Sequence, residues 1–356
     1  MIRVDTLRMP ASGHHNAGNV FVRFLLLLVV LAIAAGIAWG GFMYRRFTHT
    51  PLNVRAAGQT TEIAKGEGFN GIIAQLRRER LTDASPLLWR ALAFRMGAVN
   101  TLHAGEYALA PGMTPFMLLE KMATGRVVHH RVTLVDGWKF VQVRQALDAA
   151  PKLRHTLDKL GDAAVMGKLG DGSRSPEGEF MPDTYDYVLG MSDLDVLARA
   201  HQAMHAFLAT EWASRDTSIP LQTPYQALIL ASLVEKETAV PAERQEIAGV
   251  FERRLKIGMK LETDPSVIYG MGAAYAGKIH KSDLENDTPY NTYTRYGLPP
   301  TPIALPSRAA IHAVLHPAAG DALYFVARGD GTHQFSATLA EQNAAVKQYI
   351  LGKKHR

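Results

Sequence analysis

The chain has no cysteine in 356 residues, which excludes disulfides and every metal or cluster site built on thiolates, and leaves the redox compartment open. It has no HExxH zinc pair, no GxSxG elbow, no phosphate-binding P-loop and no Rossmann dinucleotide-binding unit, so zinc protease, serine hydrolase, nucleotide enzyme and dehydrogenase all lack a footing. No block of Lys and Arg is interleaved with aromatics, which argues against a nucleic-acid partner. No internal repeat or low-complexity tract is present. Charged residues make up only 20% and apolar ones 47%, the balance of a folded chain rather than a disordered one. His201 and His205 stand four apart, but with no carboxylate partner in the local pattern they read as surface imidazoles, and no metal is expected.

A net charge of +6 suits an acidic partner: nucleic acid, anionic lipid or an anionic polymer such as cell wall. Residues 1–23 are polar and read as a tail. Residues 24–44 carry no charge, enough to cross a hydrocarbon core at about 1.5 Å per residue. A signal peptide usually has a shorter apolar region, of about 7–15 residues. Trp39 and Tyr44 give the run an interface-type end, so a retained transmembrane helix is favoured. The arginines on its two sides nearly balance and leave orientation open.

Residues 58–128 read as a small α/β module. A strand leads through Gly66 and Gly68 to a helix with Phe69, Ile72, Ile73 and Leu76 on one side, followed by a second helix and a Gly-bounded strand. Thr114 with Pro115 then caps a closing helix. The order suits a LysM-like carbohydrate-binding module or a packing subdomain that binds nothing. Residues 129–352 read as a larger α+β domain. Its tract 167–175 is taken as a surface loop. Residues 177–190 (EGEFMPDTYDYVLG) are taken as a specialised loop or a tight turn that sets Phe180 and Tyr185 in the core. In residues 286–308, Tyr290, Tyr293 and Tyr296 sit among Asn, Thr and five prolines, an irregular, rigid segment of the kind that lines a groove for sugar rings.

The chain is organised around the helical stretch 224–258. It is apolar from Ala227 to Val234 except for Ser232, and then meets Glu235 and Glu237. Positions i and i+2 point to different sides of a helix, so the two carboxylates cannot serve one cleft. Glu237 shares a face with Leu230, Leu233 and Val234, which gives it the more apolar surroundings and makes it the candidate acid. The plainer alternative is that both are solvated ends of a core helix.

Several strings together resemble the YceG-like family, the endolytic murein transglycosylases: ASLVEKETAVPAERQEIAGVFERRLKIGMKLETDPSVIYGMG, EGEFMPDTY, YNTY, GLPPTPIALP, LHP and the YFVA…H-F-S ending. Their order, the N-terminal span and the LysM-like module also match, so nearly the whole chain is covered. The resemblance implies a bacterial inner-membrane protein with residues 1–23 cytoplasmic and the catalytic domain periplasmic. It implies cleavage of the β-1,4 bond between N-acetylmuramic acid and N-acetylglucosamine inside nascent strands, a 1,6-anhydro product, and no cofactor. The partners implied are peptidoglycan glycan strands, the inner membrane through one helix, and peptidoglycan synthases as candidate neighbours.

The family's glutamate falls in EKET, and Glu237-Thr238 resembles the Glu-Ser pair of other lytic transglycosylases, so the role is carried to Glu237. Tyr290, Asn291 and Tyr293 are the proposed groove residues, with Glu177, Asp183 and Tyr185 as a second wall. Two competing readings remain: a hydrolytic muramidase, with Glu235, Glu262 or Asp264 activating water, and a wall-binding protein without activity.

Overall fold

The computed structural model describes residues 17–352. Residues 1–16 of the expected tail lie outside the described part. The chain divides into two compact units, Met1–Val128 and His129–Arg356.

The first unit starts with α1 (Ala17–His49). Among the described residues, its Phe21–His49 portion is the one helix long and apolar enough to cross a membrane, and none of that apolar window is buried in the protein. The expected span ended at Tyr44. The helix instead runs to His49, just before Pro51, and Phe47 leaves the apolar series to pack edge-on against Trp89, ring centroids 5.3 Å apart.

There follow β1 (Thr60–Ile63), α2 (Phe69–Arg78), α3 (Pro86–Arg95), β2 (Gly105–Ala108) and α4 (Pro115–Ala123). β1 and β2 pair antiparallel, Thr60 opposite Ala108. Ile72, Ile73 and Leu76 are buried from α2, as their spacing requires, and Thr114 caps α4 by accepting from the Met117 N–H. The string at 66–71, GEGFNG, spells GxGxxG between a strand and a helix. A dinucleotide site needs a parallel βαβ unit, and the antiparallel β1–β2 pair is a different geometry.

The second unit contains β3 (His130–Leu134), α5 (Phe140–Asp148), α6 (Asp162–Lys168), β4 (Asp183–Tyr187), α7 (Asp193–Ala213), α8 (Pro224–Glu237), α9 (Arg244–Lys256), α10 (Asp264–Met271), α11 (Lys281–Glu285), α12 (Arg308–Leu315), β5 (Tyr324–Ala327), β6 (His333–Ser336) and α13 (Leu339–Val346). Its strands form two antiparallel pairs, β3 with β4 (Val132 opposite Tyr185) and β5 with β6. Part of the expected 177–190 loop is therefore β4, and Phe180 and Tyr185 are core residues. The unit has two apolar clusters. One lies between β3–β4 and helices α5 to α7; the other surrounds α8, against α7, α9 and α12.

The stretch 224–258 is two helices, not one. α8 stops at Glu237 because Thr238 is extended (φ −141°, ψ 137°), and Pro241 then restarts the chain through a short 3-10 turn into α9. Every residue from Ala227 to Val234 is buried. An apolar helix enclosed on all sides is held by packing, and each buried Leu contributes about 1.5–3 kcal/mol relative to exposure. α8 is thus the fixed post on which the two glutamates stand.

Candidate active site

The break at Thr238 makes Glu237 the last residue of α8. The negative end of a helix disfavours a carboxylate there. Glu237 shows a little of its surface to solvent, but its carboxyl lies deep among protein atoms, and these surroundings set its proton affinity. Burial raises the pKa to about 7; the hydrogen bond from Thr263 opposes the rise, and the nearby Asp264 charge adds to it.

Thr263 donates its hydroxyl to Glu237 Oε1. It is held by a buried hydroxyl chain: the Thr263 N–H donates to Thr292 Oγ1 (3.0 Å), Ser266 Oγ donates to the Thr263 carbonyl (2.8 Å), and the Ser266 and Thr292 hydroxyls meet at 2.9 Å. Asp264, the first residue of α10, accepts from the Tyr293 hydroxyl at 2.7 Å. Glu237, Thr263, Asp264 and Tyr293 therefore form one cluster.

Glu235 faces elsewhere. Its Oε2 accepts from the backbone N–H of Ser307 (3.0 Å) and from the Ser307 hydroxyl (2.5 Å). Ser307 is the N-cap of α12, so this carboxyl fastens α8 to the start of α12.

A second cluster surrounds Tyr290. Its ring meets Tyr269 of α10 edge-on at 4.8 Å, and its hydroxyl lies 2.9 Å from Thr301 Oγ1. The Tyr269 hydroxyl is near enough to Glu177 to lower its pKa, and Lys139 lies over the Tyr269 ring, 5.2 Å from its centroid. Glu177 is buried and accepts from the Phe140 N–H at 2.9 Å. Burial pushes its pKa up to about 7 against the lowering effect of that bond, of Tyr269 and of Lys139. α10 carries Asp264 at one end and Tyr269 toward the other, and so joins the two clusters.

The remaining expected groove residues lie differently. Asn291 is buried; its amide N–H groups donate to the carbonyls of Leu284 (3.0 Å) and Asn286 (2.7 Å), and its Oδ1 accepts from the Tyr293 N–H (2.8 Å). Its polar atoms hold the turn beneath Tyr293. Tyr185 is a core residue whose hydroxyl donates to the Met181 carbonyl at 2.7 Å, and burial pushes its pKa up to about 12. Asp183 is exposed, 3.9 Å from Arg308, in a shallow hollow with Ser307, on the Glu235 side. Of the carboxylates considered for water activation, Asp264 is beside Glu237, Glu235 is bound to Ser307, and Glu262 pairs with Arg254 at 3.5 Å.

The sequence reading did not single out Thr263 or Tyr269. Thr-Asp-Pro opening an apolar turn is a helix-start signal, but nothing local tells which carboxyl Thr263 will meet 26 residues away. The reading of His201 and His205 as surface imidazoles is corrected. His201 is largely covered and His205 half-buried, and their carboxylate partners, Asp171 and Glu179, come from the loop before β4.

The model of the YceG-like family matches residues 61–348. A Bacillus subtilis protein named endolytic murein transglycosylase is 28% identical over 344 residues, 90% of this chain and 93% of that one. A Streptococcus pneumoniae protein of the same name is 39% identical over 333 residues, covering 84% of this chain and 60% of its own length. A YceG-like protein from Listeria monocytogenes has a crystal structure similar to this one, with a TM-score of 0.51, 28% identity, and coverage of 81% of this chain and 99% of that chain.

Proposed function

The chain belongs to the YceG-like family, and on that premise we propose that it is a lytic transglycosylase cutting peptidoglycan glycan strands internally, at the bond from N-acetylmuramic acid to N-acetylglucosamine. The observation that carries the reading is Glu237, a carboxyl at the end of a buried helix with its pKa near 7 and a hydroxyl aimed at one of its oxygens. A group so placed holds a proton at neutral pH and can also exist as the anion, the two states that one acid-then-base residue needs.

Two carboxyl groups serve most glycosidases. Here one suffices. Glu237 donates its proton to the glycosidic oxygen as the bond to C1 breaks, and the substrate's N-acetyl group supports the positive charge at C1. The ionised Glu237 then takes the proton of the sugar's C6 hydroxyl as that oxygen bonds to C1. The anhydro ring closes, no water is consumed, and Glu237 is protonated again. Thr263 stabilises the anionic half of the cycle, and Asp264, restrained by Tyr293, favours the protonated half.

Tyr290, Tyr293 and Glu177, with Tyr269, line the groove in this reading. Asn291 and Tyr185 brace it from behind, and Asp183 stands on an outer rim with Arg308. α1 anchors the chain in the inner membrane with the second unit in the periplasm, beside the synthases that extend the strand. The first unit acts as a LysM-like glycan contact through a hollow of about 490 Å³ lined by residues 67–72, Arg90, Val99, Asn100 and Leu102.

One observation keeps a hydrolytic muramidase in view: Asp264 is exposed and close enough to Glu237 to perturb it. Mass spectrometry of the products released from purified glycan strands by the full-length chain in detergent distinguishes the two. Anhydro ends from the wild type, absent with Glu237→Gln, support the transglycosylase. Reducing ends that disappear with Asp264→Asn replace it with the hydrolase.

A further inference from the structure

Four donors of the type that bind transition metals converge where the loop before β4 meets α7. Glu179 is fully buried and Asp171 partly so, while His201 and His205, one turn apart on α7, hold their rings 4.2 Å apart by centroid. His205 Nε2 is 2.8 Å from Glu179 Oε2 and 3.7 Å from Asp171 Oδ2. His201 Nε2 is 3.2 Å from Asp171 Oδ2 and 3.9 Å from Glu179 Oε2. All four donor atoms lie within 4.8 Å of one another. Bonds of about 2.0–2.2 Å at tetrahedral angles put neighbouring donors about 3.3–3.6 Å apart, and the four spacings straddle that range.

A hydrogen-bond network accounts for His205 and Glu179. It serves His201 less well: its Nε2 is sealed from solvent and faces Asp171 Oδ2 at 3.2 Å, close enough to feel that carboxylate but outside good hydrogen-bond geometry. A buried nitrogen so poorly partnered is costly, a cost that a coordinated ion removes. Arg174 contacts the opposite oxygens, Glu179 Oε1 at 3.4 Å and Asp171 Oδ1 at 4.0 Å. It leaves Oε2 and Oδ2 turned toward the imidazoles, the usual work of an outer partner at a metal site.

We propose that Asp171, Glu179, His201 and His205 bind one divalent transition-metal ion, of which zinc fits best, and that this ion pins the loop before β4 to α7. Two imidazoles and two carboxylates suit zinc; calcium and magnesium take mainly oxygen donors and more of them. Four protein donors leave no open position, so the ion is structural. Glu179 is two residues from Glu177, so the ion also steadies that carboxyl. The proposal does not depend on the reaction assigned above.

The test uses the full-length chain in detergent, without a polyhistidine tag, stripped by chelator and equilibrated with zinc buffered at micromolar free concentration. Elemental analysis should find one zinc per chain. Asp171→Asn and His205→Gln, at the two most exposed donors, should each weaken binding by more than the roughly 10–100-fold typical of losing an outer partner, and the double variant should bind none. His312→Gln probes a second, three-donor group among the described residues, Glu211, His312 and His316, and should leave the stoichiometry at one. Cobalt in place of zinc should give a tetrahedral visible spectrum that the double variant lacks. The proposal fails if the wild type retains no zinc, if the double variant keeps its zinc, or if His312→Gln loses it.

Discussion

The two sides of the end of α8 carry the same side chain and put it to different uses. On the α12 side, Glu235 meets two donors of Ser307 and acts as a fastener. On the α10 side, Glu237 meets a single hydroxyl and the negative end of its own helix, and burial raises its affinity for a proton. Residues two apart on a helix point about 200° apart, so one rigid post serves two environments without compromise. A carboxyl that holds two donors of one partner makes a joint. A carboxyl buried with few donors keeps an affinity for a proton near neutral pH, which is why the acid–base role is proposed for it.

The comparison breaks most sharply at Glu237. Glu237→Gln should lower turnover by about 10³-fold or more, near the upper range for loss of an acid–base group, while the chain stays folded by circular dichroism. Next comes Glu235→Ala, which strands the Ser307 donors and should cost about 1–3 kcal/mol in a denaturant titration, with turnover per folded molecule changed less than about fivefold. If Glu235→Ala removed activity at unchanged stability, the two roles would be exchanged.

The pH dependence sharpens the contrast. The acid acts only when protonated, so kcat/KM should fall about tenfold per pH unit above about 7. Stability follows the same proton. The folded pKa of Glu237, about 7, lies above the ordinary 4.5, so its contribution is complete below pH 4.5 and is lost as pH rises toward 7. Glu237→Gln should therefore flatten that part of the stability curve by on the order of 1–3 kcal/mol, measured by denaturation at pH 5 and pH 8. Thr263→Val removes the bond that favours the anion and should move the alkaline limb of kcat/KM upward. The smallest effect is expected from Tyr293→Phe, which frees the Asp264 carboxylate; that group is exposed and water replaces the lost donor, so kcat/KM should change only a few-fold.

Much of this frame was legible from spacing alone. The apolar run from Ala227 to Val234 called for a buried helix, and the face shared with Leu230, Leu233 and Val234 separated Glu237 from Glu235. What stayed hidden depends on partners far along the chain. Asn291 reads as a sugar-binding amide until its bonds to Leu284 and Asn286 are seen, and Tyr185 reads as a groove aromatic until β4 pairs with β3. His201 and His205 looked unsupported because Asp171 and Glu179 arrive from another segment. The break after Glu237 has a weak local signal, two β-branched residues before Pro241 that oppose helix, while the helical pattern on both sides runs on and masks the stop.

The bond from Ser307 to Glu235 has a consequence for biosynthesis. Its partners are 72 residues apart, and α8 leaves the ribosome long before α12 exists to cover it. At about 5–20 residues per second that interval is roughly 4–14 s, during which a helix buried at every position from Ala227 to Val234 has only its earlier neighbours for shelter. A nascent chain interrupted before α12 therefore presents a degradation signal in place of a weakened enzyme, and quality-control proteases that read exposed apolar segments will meet it first.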